Sequence, residues 1–206
     1  MISMSNFEVF NFKNAVRGAR NPLNSWSDMD SFEDDNNQFI FGKSDLNLTK
    51  KLCIAGSDHR KFLRQIFVTV DINAPLYWWK EFDTYKIGTV SNSCSTMHKI
   101  HSKVFTIDDF SYDHLTTNSI ECLSSIVNRL EELRIMYLET KNKEIWYNII
   151  QLLPSSYNQL RTCTMNYENI YSIYWARKDH KLDEWKVFCK WLKQLPYVED
   201  FLCINE

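Results

Sequence analysis

Between Asp83 and Asp108 the chain carries no acidic residue, although acids outnumber bases overall, 26 to 24. The stretch holds Lys86, Lys99 and Lys103, His98 and His101. It also holds a run of small polar side chains from Thr89 to Thr96 that includes Asn92, Ser93, Cys94 and Ser95. Hydroxyls, amides and backbone N–H groups beside lysines suit a bound anion, a phosphate above all. The same residue types also make a solvated loop whose hydroxyls satisfy turns, and residue type alone leaves both readings open. A catalytic thiolate at Cys94 is not expected.

A second constellation runs from Asn166 to His180. Arg177 follows Asn166 by eleven residues. That is about three helical turns, so both can share one side of a helix. Asparagine offers a donor and an acceptor at the helix start, and arginine offers a planar fork. Together they suit a planar, hydrogen-bonding ligand. An ordinary capped helix whose final arginine complements the dipole is the alternative. His59 follows Gly56, Ser57 and Asp58 and precedes Arg60, Lys61 and Arg64. It could contact a phosphate or a ring, or be a plain surface histidine. Asp28, Asp30, Glu33, Asp34 and Asp35 fit no EF-hand spacing and lack its central glycine, so a solvated acidic loop is expected and no metal site.

Several elements must position these groups. FEVFNF, residues 7 to 12, alternates and reads as a first strand. Residues 19 to 44 are polar and acidic and read as a surface loop, flexible in character. Ser44 can cap a helix from Asp45 to about Ala55, ended by Gly56. IFVTVDI, residues 66 to 72, is β-branched and reads as a strand. Pro75 suits a first helical position, and LYWWKEFDTYK reads as a helix of about three turns that Gly88 loosens or ends. A long helix is expected over 117–140, with Ile120, Leu123, Ile126, Val127, Leu130 and Leu133 on one side. A segment over 142–153 stops at Pro154. Residues 159 to 165 suit a strand, Asn166 caps a helix to about Arg177, and a last helix covers 180–194.

The 206 residues are 44% hydrophobic and 15% aromatic, enough for one large domain with a real core. Only four glycines and four prolines argue for long helices rather than a turn-rich sandwich. A net charge of −2 gives no global attraction to DNA, RNA or an anionic membrane, so neither nucleic acid nor membrane is expected as a partner. No apolar run approaches the roughly 18 residues of a membrane span. Met1 to Asn11 lacks the pattern of a signal peptide. The six cysteines show no C-x-x-C spacing, so they read as reduced thiols of a cytoplasmic protein.

Read together, two blocks resemble the flavin-dependent thymidylate synthase (ThyX) family. The first runs from His59 to Ile100. The family signature R-H-R-x-x-S-x-N-E-x-S-x-R-Y lands on residues 84–97, TYKIGTVSNSCSTM. Lys86 takes the third basic position, Thr89 the first serine, Ser91 the asparagine, Asn92 the glutamate and Cys94 the second serine. Thr96 stands where the family keeps a phosphate-gripping arginine. The second block runs from Leu153 to Asp183. Leu153-Pro154, Thr164, Asn166, Ile170 and Arg177 fall at family spacing. Ile150 replaces an arginine that serves the nucleotide, and Glu168 replaces the arginine after the asparagine.

The resemblance implies an α+β, ThyX-like single domain, an antiparallel or mixed sheet flanked by long helices. It implies FAD as cofactor, contacted by His59, Lys86 and Asn166, and a dUMP-like nucleotide held by Asn92, Ser93, Cys94, Ser95 and Arg177. Arg177 would bind and polarise the pyrimidine, which makes it the catalytic candidate. It implies a flavin-dependent nucleotide methyl or hydroxymethyl transferase assembled as a homotetramer. The alternative is a non-catalytic binder of a nucleotide or signalling nucleotide on the same fold, and beyond that a scaffold that keeps the fold alone.

Overall fold

The computed structural model describes residues 1–202. It begins with strand β1 (Ser3–Phe10) and helix α1 (Phe12–Ala19), followed by a two-stranded hairpin of β2 (Phe32–Glu33) and β3 (Phe39–Ile40). Helix α2 (Lys43–Ile54), strand β4 (Phe67–Pro75), helix α3 (Leu76–Phe82) and strand β5 (Thr89–Ser93) come next. The rest is α4 (Thr117–Thr140), α5 (Lys143–Leu152), β6 (Asn158–Asn166), α6 (Tyr167–Arg177), α7 (Asp183–Leu192) and α8 (Val198–Leu202). The longer sheet has the order β1-β4-β6-β5, and the hairpin pairs Phe32 with Ile40 and Glu33 with Phe39 antiparallel. No helix among the described residues is long and apolar enough to cross a membrane.

Two compact units divide the chain. The first takes residues 1–5, 71–84 and 91–162; the second takes 6–70, 85–90 and 163 onward. In the first unit, α4 and α5 close a core. Leu123, Val127, Leu130 and Leu133 follow the helical repeat on one face of α4 and pack with Ile149, Phe105 and Phe110. The turn between these helices is made by Lys141 at φ +53 and by Asn142, whose side chain accepts the Glu144 N–H. Trp78, Trp79 and Phe82 bury the inner face of α3, and the Trp79 indole donates to the Gln159 carbonyl at 3.0 Å.

In the second unit the core is largely aromatic. Phe12, Tyr167, Tyr197 and Phe201 meet edge to face, and Trp185 and Phe188 bury one side of α7. The Tyr167 hydroxyl donates to the Pro196 carbonyl, and burial pushes its pKa up.

The acidic segment is more structured than its composition predicts. Buried Asp45 accepts from Arg20 Nε at 2.6 Å and from the backbone N–H groups of Asp30 and Ser31. Asp30 in turn accepts the N–H groups of Ser44 and Asp45 at 2.8 and 3.0 Å. Asp30 therefore caps α2 from outside the helix, where Ser44 was expected to cap it. A Cβ at Gly42 would lie 2.2 Å from the Asp30 carboxyl carbon, so this residue must stay small.

Other boundaries also move. Strand β1 starts four residues earlier than expected, and β4 runs on to Pro75. Pro75 is the cap of α3 rather than its first turn, and α3 has two turns, not three. Thr84 Oγ1 donates to the Glu81 carbonyl at 2.7 Å and closes the helix end. The final helix is shorter than 180–194, and α8 after Pro196 was not anticipated.

Candidate functional site

Helix α6 begins where Asn166 leads into it. The Asn166 side chain accepts the Asn169 N–H at 2.9 Å, and the Asn169 side chain accepts the Asn166 N–H at 3.2 Å. This reciprocal box satisfies two helix-end groups and fixes both amides. The other face of the Asn169 amide donates to the Ile87 carbonyl at 2.7 Å. That bond docks the segment Tyr85–Gly88 against the start of α6. Gly88 has φ +77, and a Cβ there would lie 2.5 Å from Asn166 Nδ2 and 2.9 Å from Asn169 Oδ1. Only glycine meets both the backbone and the close approach.

At the far end of α6, Arg177 is half-buried. Its Nε donates to the Tyr85 hydroxyl at 2.9 Å. Its guanidinium carbon lies 4.8 Å from the Trp185 ring centroid and 5.6 Å from that of Tyr85. The two rings meet at 68°, so the planar cation sits in an aromatic corner, where cation–π attraction adds to the hydrogen bond. Short segment 85–88 thus touches both ends of α6, and Lys86 is exposed upon it.

Other candidates lie elsewhere. His59 is exposed and lines a cavity of about 660 Å³ with Asp58, Lys61, Phe62 and Leu48, a cavity that no α6 residue lines. Arg60 is committed: its Nε donates to both Glu168 oxygens at 3.0 to 3.1 Å, and its guanidinium covers Tyr171 at 4.1 Å. Where the family pattern has an arginine, Glu168 thus serves as an ion-pair partner.

The acid-free stretch is divided between the units: Tyr85–Val90 joins the second and Ser91 onward the first. Asn92 and Ser93 end β5 and are exposed. The Cys94 N–H donates to the Leu160 carbonyl and the Cys94 carbonyl accepts from the Gln159 amide, each within 2.9 Å. Ser95 Oγ accepts the His98 N–H at 2.9 Å, so this hydroxyl satisfies a turn. The helix expected to continue to Lys86 and Gly88 is instead a loop leading into strand. Ile150 packs against the α4–α5 core. Among the described residues, no group of three or more His, Cys, Asp or Glu could hold a metal ion.

Residue spacing did not disclose Tyr85 or Trp185, which hold the Arg177 guanidinium. Asn169 carried a signal: an amide three residues after an N-cap is the pattern of a capping box.

No family model matches the sequence, and no curated protein matches it significantly. Solved structures do match, and the fold they define is that of the flavin-dependent thymidylate synthases. Among them are two crystal structures of Thymidylate Synthase X (ThyX) from Helicobacter pylori, both with FAD and dUMP. One aligns over 100% of this chain and 99% of its own, the other over 99% and 98%. Each has a TM-score of 0.67 and 17% identity. The chain therefore has a mixed helix-and-sheet fold similar to ThyX, at a sequence distance where the likeness extends to the fold alone.

Proposed function

We propose that this chain is a divergent ThyX-like protein that binds a pyrimidine nucleotide, a flavin, or both, at the cluster formed by Tyr85–Gly88 and α6. One observation carries the reading. Arg177 is held at the end of α6 by the Tyr85 hydroxyl and the Trp185 face. A fixed guanidinium is a preorganised donor for a ring carbonyl on which negative charge develops. The donor set fits a planar ring beside an anion: Arg177 addresses the ring, Lys86 a phosphate, and the Asn166–Asn169 amides a polar ring edge. His59 remains a proposed flavin contact and Asn92, Ser93, Cys94 and Ser95 remain proposed nucleotide contacts in their own right, and a homotetramer is the proposed assembly. When bound, reduced flavin supplies the hydride in this class of methyl transfer. Arg177 polarises the pyrimidine, and Lys86 anchors a phosphate of the flavin cofactor.

A second reading, a binder that performs no transfer, is favoured by one set of contacts. Ile150 fills a core where a cation would be required, and Arg60 is spent on Glu168. Each missing charge-assisted contact costs about 1.5–3 kcal/mol, a ten- to hundred-fold loss of affinity.

One panel on the purified full chain tests both readings: visible flavin absorbance, and thermal shifts with FAD, dUMP and the two together. Stabilisation by FAD, increased by dUMP, supports the transferase. Stabilisation by nucleotide alone supports the binder. No response to either ligand overturns both.

A further inference from the structure

A cavity of about 340 Å³ belongs wholly to the first unit and uses none of the residues assigned above. That volume is at the small end of the ligand-pocket range, roughly 300–1,000 Å³. His98 and His101 reach it from the turn after β5, Tyr137 from the end of α4, and Lys141, Lys143 and Trp146 from the helix–helix turn and the start of α5. The Trp146 indole donates to the Met97 carbonyl at 3.1 Å, which ties the histidine-bearing turn to α5. His101 packs edge-on against Tyr137 at 4.9 Å. Its Nδ1 is buried without a hydrogen-bond partner. Lys141 Nζ lies 5.6 Å from the Tyr137 ring centroid, and Lys143 Nζ lies 5.5 Å from that of Tyr147.

No acidic side chain lines this cavity. Glu139 and Glu144, the acids nearest in sequence, are exposed and outside it. Among the described residues, neither lysine nor either histidine forms an ion pair. Two exposed ammonium groups beside one hollow, with no carboxylate lining it, favour an anion there. A phosphate offers several acceptor oxygens at once, and the Tyr137 and Trp146 rings offer apolar faces to a planar ring.

We propose that this cavity is a second binding site, for a small phosphorylated ligand that carries a planar ring, of the nucleoside diphosphate class. It is independent of the α6 cluster.

The chain has five histidines, so side-chain NMR of protein labelled at histidine resolves the site directly, with peaks assigned by single His→Gln variants. ADP is the probe, with pyrophosphate and adenosine as its parts. ADP is expected to shift the His98 and His101 signals in a saturable way. The double variant Lys141→Asn with Lys143→Ala is expected to weaken binding at least about ten-fold without lowering the melting temperature. Asparagine is chosen at 141 because it tolerates the left-handed backbone there. Arg177→Ala is expected to leave the ADP-dependent shifts of the His98 and His101 signals unchanged. Motionless His98 and His101 signals, or full affinity in the lysine variant, overturn the site. Pyrophosphate binding as tightly as ADP overturns the ring, and adenosine binding as tightly overturns the phosphate.

Discussion

At the scale of single residues, the Arg177 cluster separates what binds from what positions. Arginine in an exposed loop samples many rotamers, and binding must freeze them. Here the Tyr85 hydroxyl and the Trp185 face hold the guanidinium in advance. Arg177→Ala is therefore expected to lower dUMP affinity by about ten- to hundred-fold, the value of a charge-assisted contact. The protein stays folded, because the α6 core residues Tyr167, Ile170 and Ile173 are untouched. Tyr85→Phe keeps the ring and removes the acceptor for Nε. It should produce a smaller loss in the same direction, since the arginine remains present but less fixed. Isothermal titration of both variants, with melting curves alongside, reads both effects. Equal affinity in wild type and Arg177→Ala sinks the assignment of this residue.

At the scale of elements, short contacts decide which segments are placed. Gly88 joins the loop 85–88 to the start of α6 through its φ of +77 and its closeness to Asn166. Gly88→Ala places a Cβ against two amides and puts alanine in the left-handed region, a backbone cost of about 1–2 kcal/mol. The variant is expected to melt lower and to lose ligand affinity together, which differs from Arg177→Ala. Asp30 plays a similar part for α2. Backbone hydrogen bonds, that of Ser44 foremost, hold its carboxyl below the usual carboxylate range. A pKa depressed on folding contributes stability above the unfolded value and loses it as pH falls through the folded one. Melting temperature should thus decline below roughly pH 4. Asp30→Asn should flatten part of that decline; Glu131, held low chiefly by Arg134, retains the rest.

Legibility follows the same division between local and distant cause. Helix α4 matched its expected bounds, because Leu123, Val127, Leu130 and Leu133 repeat at helical period within one segment. Helix α6 was legible from Asn166, whose cap needs only neighbours three residues away. Strand β5 was not legible: four of the five residues in TVSNS are exposed, with no alternation to read. It is a strand because it pairs with β6. The site divides likewise. Asn166 and Arg177 stood out by spacing along one helix, whereas the Tyr85–Arg177 bond joins residues 92 positions apart. Nothing local in TYK marks that tyrosine as a partner.

At the scale of the whole molecule, one fold accommodates very different sequences because burial pattern constrains a chain more loosely than residue identity. With identity at 17%, the arrangement of buried and exposed positions is what the fold needs to retain. The cysteines report on that arrangement without any ligand. Cys94 and Cys122 are exposed, while Cys53, Cys163 and Cys189 are buried. Burial pushes the Cys189 thiol up to about 12. The thiolate, not the thiol, is alkylated, so a buried thiol held neutral is protected twice, by access and by charge. Brief treatment with iodoacetamide near neutral pH, followed by peptide mapping, should modify Cys94 and Cys122. Cys53, Cys163 and Cys189 should stay unmodified until denaturant is added. Since Cys163 lies in β6 and Cys189 in α7, their protection tests the sheet and the aromatic core of the second unit together. Native-state labelling of Cys163 or Cys189 as fast as Cys94 would mean that these segments do not pack as described.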